Sequence, residues 1–208
     1  MYEIHLKDAG KRYNRDWIFR KLSLEIPSGR GCAILGGNGS GKSTLLRSIL
    51  GYAPLSEGEI LYFEAGRAKP RHQVYRDMSF SGPYLELYEE LTLAEMIRFH
   101  FSLKSPLPGL RPEELARRMQ LEPALHRPVK FFSSGMKQRL RLALAIFSQS
   151  RVLLLDEPAS NLDRKAIDWY QSTLQEHLGE RILLVASNHQ EAEYALCTQK
   201  INVEEYKP

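Results

Sequence analysis

Short stretches of alternating apolar and polar residues characterise the first third of the chain. Residues 2–7 and 17–26 alternate in this way and are separated by the polar segment 11–14. Alternation with a period of two is typical of strands that bury one face, so both stretches are predicted to form an antiparallel sheet. Residues 60–63 lie between two glycine-containing segments, which predicts a hairpin that extends the same sheet.

Continuous apolar runs form a second pattern, at residues 32–35, 152–155 and 182–186. Runs of this length are typical of strands that helices cover on both faces, as in a parallel sheet. After the first run, apolar residues recur at helical spacing, namely Leu45, Leu46, Ile49 and Leu50. Gly51 is expected to end that helix, and another helix is predicted over residues 135–148.

Residues 84–132 have a helical texture and are predicted to form a small subdomain inserted into the core. One helical face is shared by Leu93, Met96, Ile97 and His100. A second helix is predicted to open at Pro112-Glu113-Glu114, because proline is favoured in the first turn of a helix. The proline-containing segment 105–109 separates the two helices.

Composition and charge exclude several classes of protein. The 208 residues suffice for one sizeable core, or for a core with a small satellite. The longest apolar runs fall far short of the roughly 20 residues that cross a bilayer, and residues 1–7 lack the apolar core of a signal peptide. We therefore expect a cytoplasmic location. Cys32 and Cys197 have neither metal-binding nor redox spacing, so no disulfide is expected. A net charge of +4 is too small to predict a nucleic-acid partner.

A glycine-rich segment between the first apolar run and its helix carries the strongest chemical signal. It matches the phosphate-binding pattern G-x-x-x-x-G-K-[ST] and consists of Gly36, Gly37, Asn38, Gly39, Ser40, Gly41, Lys42 and Ser43, followed by Thr44. Glycines let successive backbone N–H groups turn toward a polyphosphate, and the helix N-terminus adds its positive dipole end. The pattern predicts that Lys42 reaches the β- and γ-phosphates and that the Ser43 hydroxyl binds Mg²⁺.

Two carboxylates, Asp156 and Glu157, directly follow the second apolar run. Ligands of α/β sheets bind at the carboxyl ends of parallel strands, so this pair is expected beside the glycine-rich segment. Asp156 is predicted to hold Mg²⁺, directly or through water. Glu157 is predicted to act as the general base on an attacking water.

A serine-rich turn precedes this strand by the length of a helix. The order of glycine loop, serine-rich turn, apolar strand with Asp-Glu, and then residues 160–163 resembles the nucleotide-binding subunit of ABC (ATP-binding cassette) transporters, over essentially the whole chain. The signature turn of that family usually reads Leu-Ser-Gly-Gly-Gln, whereas residues 132–136 read Phe-Ser-Ser-Gly-Met, so the serine and the second glycine match. The resemblance implies that Ser133 and Gly135 contact ATP. Met136 replaces the glutamine of the family motif, so any contact of that glutamine's side-chain amide with the nucleotide is lost.

The resemblance also implies residues that complete the nucleotide site. An aromatic ring near the N-terminus is expected to stack on adenine, and Tyr13 matches that place best, with Trp17 as its competitor. A histidine near the γ-phosphate is expected after the last buried strand. His189 matches it, since Glu193 follows at the family's H-x-x-x-E spacing, although strand length alone would allow Asn188.

One element of the family pattern is missing. After the central strand the family normally carries a glutamine that binds Mg²⁺ and links the site to the helical subdomain. The corresponding segment 77–84 contains no glutamine, and Ser81 falls at the best-matching position. Its hydroxyl is therefore expected to serve as a weaker or water-mediated Mg²⁺ ligand.

Taken over the whole chain, the resemblance implies an α/β fold: a P-loop NTPase core with a mostly parallel sheet, an N-terminal antiparallel β-subdomain and the inserted helical subdomain. A single ABC domain is expected over residues 1–208, with approximately residues 1–83 and 133–208 in the core. The implied activity is hydrolysis of ATP to ADP and phosphate in a compact cassette of the exporter type. Two copies, or one copy and a paralogous cassette, are expected to close around two ATP molecules. They would drive a separate transmembrane permease docked near residues 81–100, on the cytoplasmic face of the membrane.

Two other functions fit parts of the pattern. A permease-independent ABC-type ATPase would act on DNA, ribosomes or a cytosolic assembly, but such proteins usually carry two cassettes or long coiled-coil insertions. A nucleotide-dependent binding module with little turnover agrees with the missing glutamine and the altered signature. Glu157 argues against this second alternative, because a protein that only binds nucleotide needs no base there. The transported substrate is not encoded in this chain, since a permease would select it.

Overall fold

The computed structural model describes the backbone of residues 1–208 and all side chains except those of residues 112 and 113. In chain order the strands and helices are β1 (Tyr2–Tyr13), β2 (Asp16–Pro27), β3 (Gly31–Leu35), α1 (Lys42–Ile49), β4 (Glu57–Glu64), β5 (Arg67–Lys69), β6 (Met78–Ser81), α2 (Leu93–Leu103), α3 (Pro112–Arg118), α4 (Ser134–Ile146), β7 (Val152–Asp156), α5 (Arg164–His177), β8 (Ile182–Ser187) and β9 (Gln199–Asn202). Within the described part of the chain, no helix is long and apolar enough to cross a membrane.

The alternating segments form an antiparallel sheet in the spatial order β2-β1-β4-β5. Strands β1 and β2 pair with Ile4 opposite Ile26, and β4 continues the sheet on the other side of β1. The predicted antiparallel sheet and its hairpin extension are therefore confirmed. Strand β1 continues to Tyr13, well beyond its alternating stretch, because register shifts after Leu6 and Ala9 let pairing with β2 resume past each irregularity.

The three continuous apolar runs are β3, β7 and β8, which form the centre of a second sheet in the order β6-β7-β8-β3-β9. All neighbouring pairs in this sheet are parallel, as predicted. The sequence patterns did not identify β6 and β9. These are the edge strands of the sheet, and their partly polar sequences carry less of the apolar signal that marks a central strand.

The parallel sheet separates two hydrophobic cores. Alternate residues of β7 point to opposite faces, so Leu153 and Leu155 join one core while Val152 and Leu154 join the other. The first core is completed by residues of α2, α3, α4 and α5. The second is completed by α1 and the antiparallel sheet. Because both faces are covered, a strand such as β7 reads as an unbroken apolar run.

Helices α2 and α3 arise from the segment that was predicted to be helical. Thr92 begins α2 with a reciprocal capping box, in which its side chain and that of Glu95 each bond the other residue's backbone N–H. Helix α3 begins at residue 112, as predicted, and the side chains of residues 112 and 113 lie outside those described. The assignment of residues 84–132 to a separate subdomain stays a prediction.

Helix α4 confirms the helix predicted over residues 135–148, with bounds shifted by one or two residues. Helix α5 was not identified from the sequence pattern, although Asp163 caps it by accepting a hydrogen bond from the Ala166 N–H at 2.8 Å. Together α4 and α5 cover one face of the parallel sheet. The N-terminus of α4 is thereby placed near the loop that follows β7, where Gln138 Nε2 donates to the Pro158 carbonyl at 3.1 Å.

Candidate functional site

The glycine loop, residues 36–41, joins the carboxyl end of β3 to the N-terminus of α1 and borders a cleft of about 720 Å³. Gly41 precedes α1 at a φ of 107°, and none of the described side chains caps the helix there. A Cβ atom at Gly41 would lie 2.4 Å from Ile18 Cγ2, so both the backbone angle and the close contact require glycine. The first N–H groups of α1 are therefore left for a ligand in the cleft.

Lys42 is the first residue of α1 and is only 3% exposed. Its Nζ donates to the carbonyl oxygens of Gly36 and Gly37, both at 2.9 Å. Among the described side chains, none forms an ion pair with it. A buried ammonium group without a counter-charge is costly. The position of Lys42 is thus suited to a charged anionic ligand such as a polyphosphate.

Buried oxygen atoms converge where β6 and β7 end. Ser81 is the last residue of β6 and pairs with Leu155, so it lies beside Asp156 at the same edge of the sheet. The Ser81 hydroxyl and Asp156 Oδ1 are both buried and have no hydrogen-bond partner among the described residues. Burial raises the pKa of Asp156, while a hydrogen bond from Ser43 acts in the opposite direction. Carboxylate and hydroxyl oxygens are hard ligands, so Ser43, Ser81 and Asp156 fit a site for Mg²⁺.

Glu157 is the residue after β7 and has a left-handed backbone, with a φ of 47°. Its N–H donates to the carbonyl of Ala186 in β8 at 2.9 Å, and the Ser160 hydroxyl lies 3.5 Å from Glu157 Oε2. The side chain is half-buried and lines the same cleft as Lys42. A left-handed conformation is uncommon for a non-glycine residue, and such residues recur at functional sites.

The cleft brings together most of the predicted glycine-loop residues and also residues that the sequence analysis did not assign. Its lining consists of Ile18, Asn38, Gly39, Gly41, Lys42, Ser43, Thr44, Arg47, Pro83, Tyr84 and Glu157. Arg47 and Tyr84 form a pair in which the guanidinium lies 5.3 Å from the ring centroid. Neither residue belongs to a recognisable motif. Their presence in the cleft depends on how the loop after β6 folds over α1, which no local pattern reports.

Ser133 and Gly135 lie at the N-terminus of α4. The Ser133 hydroxyl accepts a hydrogen bond from the Met136 N–H at 3.2 Å, so it acts as a helix cap. A Cβ at Gly135 would lie 3.0 Å from the carbonyl oxygen of Asn161, which makes this a close approach between α4 and the loop before α5. Both residues line a cavity that is distinct from the Lys42 cleft. Within one chain, therefore, the serine-rich turn does not face the glycine loop's cleft.

Tyr13, at the end of β1, is 49% exposed. The Lys11 ammonium lies 4.8 Å from the centroid of its ring. Trp17 is packed between Arg12 and Arg20, whose guanidinium groups lie 5.6 and 4.6 Å from its ring. The residue next to Trp17, Ile18, is the one that lines the cleft. The choice of Tyr13 as the adenine-stacking residue stays a prediction.

His189 lies two residues beyond the end of β8 and is exposed, with a φ of 57°. The neighbouring Asn188 makes the contact to the glycine loop that the structure records, with its Nδ2 3.3 Å from Asn38 Oδ1. Glu193 is buried, and its Oε1 accepts a hydrogen bond from the Ala159 N–H at 3.0 Å. The structure therefore places Asn188 beside the glycine loop, and the role of His189 stays a prediction.

Comparisons with known proteins agree with this geometry. The family model described as "ABC transporter" matches residues 19–160. Over 194 residues the chain is 29% identical to the cytochrome c biogenesis ATP-binding export protein CcmA of Agrobacterium fabrum, covering 90% of this chain and 89% of that protein. Over 197 residues it is 32% identical to the sulfate/thiosulfate import ATP-binding protein CysA of Nocardia farcinica, covering 91% of this chain but only 59% of that protein.

Solved structures show the same fold. A putative ABC transporter ATP-binding protein from Pyrococcus furiosus superimposes with a TM-score of 0.82 at 20% identity, covering 99% of this chain and all of that one. A bacterial Atm1-family ABC exporter with ATP bound gives a TM-score of 0.81 at 20% identity, covering 97% of this chain and 37% of that chain. At these identities the two structures support the arrangement of sheets and helices described above.

Proposed function

This chain belongs to the ABC transporter family and carries its ATPase domain, and from this premise we propose that it dimerises around two ATP molecules to power a separate membrane permease. The proposal rests on the set of side chains that meet at the carboxyl edge of the parallel sheet. There a buried lysine without an ion-pair partner among the described side chains, unpaired oxygens of Ser81 and Asp156, and the Glu157 carboxylate lie together. These are the groups that phosphoryl transfer to water requires.

ATP binding is assigned to the glycine loop and the start of α1. The phosphates would accept hydrogen bonds from the free N–H groups of the loop, and Lys42 would exchange its two carbonyl partners for phosphate oxygens. Ser43, Asp156 and Ser81 are the proposed Mg²⁺ ligands, with Ser81 the weaker one. When bound, the metal ion supplies positive charge that offsets the negative charge on the phosphates. Tyr13 is the proposed stacking residue for adenine.

Hydrolysis is assigned to Glu157. Its carboxylate would accept a proton from water, which attacks the γ-phosphorus as the bond to the β–γ bridging oxygen breaks. The bond from the Glu157 N–H to Ala186 fixes the backbone of this residue relative to β8. His189 is proposed to assist by contacting the γ-phosphate.

A composite site explains why Ser133 and Gly135 do not line the Lys42 cleft of their own chain. In the proposed dimer, the N-terminus of α4 from one copy covers the ATP that is held by the glycine loop of the other. A helix N-terminus favours negative charge, so the γ-phosphate would hold the two copies together. The partner is a second copy or a paralogous cassette.

The proposed permease surface lies near residues 81–100, where large apolar side chains are exposed. They include Tyr84, Leu85, Tyr88 and Phe99. This surface is connected to the cleft, because Tyr84 lines the cleft while the carbonyl of Leu85 accepts a 2.8 Å hydrogen bond from Arg141 Nε of α4. Through this connection, changes at the nucleotide could reach the permease surface, although the family's glutamine is missing. The exporter type stays a prediction, since the similar proteins include both export and import ATP-binding proteins.

Replacement of Lys42 tests the ATPase assignment. Lys42→Ala is expected to abolish hydrolysis and to weaken ATP binding, because the loop loses the charge that faces the β- and γ-phosphates. Lys7→Ala is the matched control, since Lys7 is exposed on the antiparallel sheet beside Glu59. ATP affinity measured by calorimetry and phosphate release should change in the first variant only. Unchanged affinity and turnover in Lys42→Ala would contradict the assignment.

A further inference from the structure

The segment after β9 lies against the glycine loop. Asn202, the last residue of β9, pairs with Leu35, which immediately precedes Gly36. The next residue, Val203, is fully buried and begins a short 3₁₀ helix, Val203–Tyr206. A Cβ at Gly41 would lie 3.6 Å from Val203 Cγ1. This segment therefore lies beside the glycine loop over the whole length of the loop, from Gly36 to Gly41.

Within this segment, Glu204 makes a direct bond to the loop. Its Oε1 accepts a hydrogen bond from the Gly37 N–H at 3.0 Å. The backbone N–H of Glu204 donates in turn to Asn202 Oδ1 at 3.1 Å. The backbone of Glu204 is thus held at the end of β9, while its carboxylate is bonded to the loop.

Gly37 also contacts other residues of the loop and the first residue of α1. The carbonyl of Gly37 accepts hydrogen bonds from Lys42 Nζ at 2.9 Å and from the Ser40 N–H at 3.2 Å. Gly37 therefore has its N–H fixed by Glu204 and its carbonyl fixed on Lys42. A loop with several glycines loses much conformational entropy when it is ordered. A bond that restrains Gly37 before ATP arrives reduces the part of this loss that accompanies binding.

We infer that Glu204 is a positioning residue that holds the start of the glycine loop in the conformation that receives the phosphates. The inference rests on the proposed function of the loop in ATP binding. Because Glu204 acts on the free protein through the Gly37 N–H, its loss should weaken ATP binding and leave the chemical step nearly unchanged. The bond needs an acceptor oxygen and not a charge, so glutamine should replace glutamate.

The experiment compares Glu204→Ala, Glu204→Gln and Glu205→Ala in the full chain. Glu205 is the matched control, because it is adjacent and exposed and its side chain has no hydrogen bond or ion pair among the described residues. Glu204→Ala is expected to raise the Kd for ATP and the KM by about three- to tenfold, with kcat within about twofold of the parent protein. Glu204→Gln and Glu205→Ala should keep Kd within about twofold. Calorimetric ATP titration and steady-state phosphate release give both readouts.

Three results would overturn the inference. Equal ATP affinity in Glu204→Ala and Glu205→Ala would mean that the bond does not position the loop. Tighter ATP binding in both Glu204→Ala and Glu204→Gln would mean that the carboxylate repels the phosphates instead. If Glu204→Ala and Glu204→Gln lose ATP affinity equally and show the same fall in the thermal unfolding midpoint, Glu204 has a general structural role. A parent protein that binds ATP without hydrolysing it would contradict the proposed function alone, since the Kd comparison still tests Glu204.

Discussion

At the scale of single residues, two unpaired buried oxygens lie at the proposed Mg²⁺ site. Asp156 Oδ1 and Ser81 Oγ have no partner among the described residues. Leaving such a group unsatisfied costs about 1–3 kcal/mol, and more when it is charged. At Asp156 and Ser81, a bound metal ion would offset this cost. The oxygen at Ser81 is a hydroxyl, which binds Mg²⁺ more weakly than a carboxylate or an amide oxygen.

Replacement of Ser81 tests this weak ligand. Ser81→Ala is expected to raise the Mg²⁺ concentration for half-maximal hydrolysis by only a few-fold, roughly two to five times, because a poor ligand leaves little to lose. Ser79→Ala is the matched control, since Ser79 is also buried on β6 with an unpaired hydroxyl but lies two residues before the strand end. Complete loss of activity in Ser81→Ala alone would make Ser81 a full ligand and contradict the weak-ligand account.

The end of β8 offers a choice between two neighbouring residues. If His189 contacts the γ-phosphate, His189→Ala should lower kcat by about tenfold or more, as the loss of a group that stabilises transition-state charge does. Asn188→Ala should change the ATP KM by only a few-fold, because it removes the contact to Asn38 in the glycine loop. Steady-state kinetics of both variants separate the two roles. The reverse pattern would assign the γ-phosphate contact to Asn188.

At the scale of elements, a hydrogen bond joins α2 to the segment that directly follows α4. His100, near the end of α2, has its Nε2 2.8 Å from the Ser148 hydroxyl, which itself donates to the Leu144 carbonyl at 2.6 Å. Because Ser148 gives its proton to Leu144, Nε2 of His100 carries the hydrogen that bonds Ser148. Burial, together with the charge of Lys104, lowers the pKa of His100 to about 4.

This arrangement predicts a pH dependence of stability. The folded pKa of His100 lies below the value of 6.5 for an unperturbed histidine, so the unfolded chain binds the extra proton more readily. The free energy of unfolding should therefore fall as pH decreases from 6.5 toward 4. Between about pH 7 and pH 5 the contribution of His100 is about 1 to 2 kcal/mol.

Denaturant titrations at both pH values compare the parent protein with His100→Gln, which retains a donor for Ser148 but does not titrate. The variant should lose less stability on acidification. His5→Gln is a suitable control, because His5 is partly exposed beside Glu3 on the antiparallel sheet. Equal losses in the parent protein and His100→Gln would show that His100 does not carry the effect.

At the scale of the whole molecule, the serine-rich turn and the glycine loop belong to different surfaces. Ser133 and Gly135 line one cavity and Lys42 lines another. Helix α4, which carries the serine-rich turn at its start, is held to the loop after β7 by the bond from Gln138 Nε2 to the Pro158 carbonyl. Two copies arranged head to tail would bring each serine-rich turn to the other copy's glycine loop, which is the basis of the proposed dimer.

Replacement of the proposed general base, Glu157, should trap this dimer. Glu157→Gln keeps the shape of the side chain but ends proton abstraction, so ATP should persist and hold two copies together. Size-exclusion chromatography with ATP and Mg²⁺ should show a dimer for Glu157→Gln and a monomer for the double variant Lys42→Ala/Glu157→Gln, which binds ATP poorly. Hydrolysis by the parent protein should also rise more steeply than linearly with protein concentration. A Glu157→Gln protein that binds ATP but stays monomeric would contradict closure by two copies of this chain alone.

The sequence by itself determined the central strands, the glycine loop and the Asp156-Glu157 pair. These features depend on local order: a strand covered on both faces is a continuous apolar run, and a phosphate loop needs its glycines, lysine and serine in consecutive positions. The alternation of apolar and polar residues also predicted the antiparallel sheet, since a period of two is typical of a half-buried strand. The edge strands β6 and β9 left no such signal because edge positions tolerate polar residues.

Only the tertiary structure decided which distant residues meet at the site. The pairing of Arg47 with Tyr84, the contact of Asn188 with Asn38 and the bond from Gly37 to Glu204 each join segments that are far apart in the chain. The separation of Ser133 from the Lys42 cleft is of the same kind. Hydrophobic periodicity reports whether a side chain faces a core, but it carries no information about which polar groups come together at the core's edge. That meeting is set by the order of β3, β8 and β9 in the sheet and by the helices packed against it.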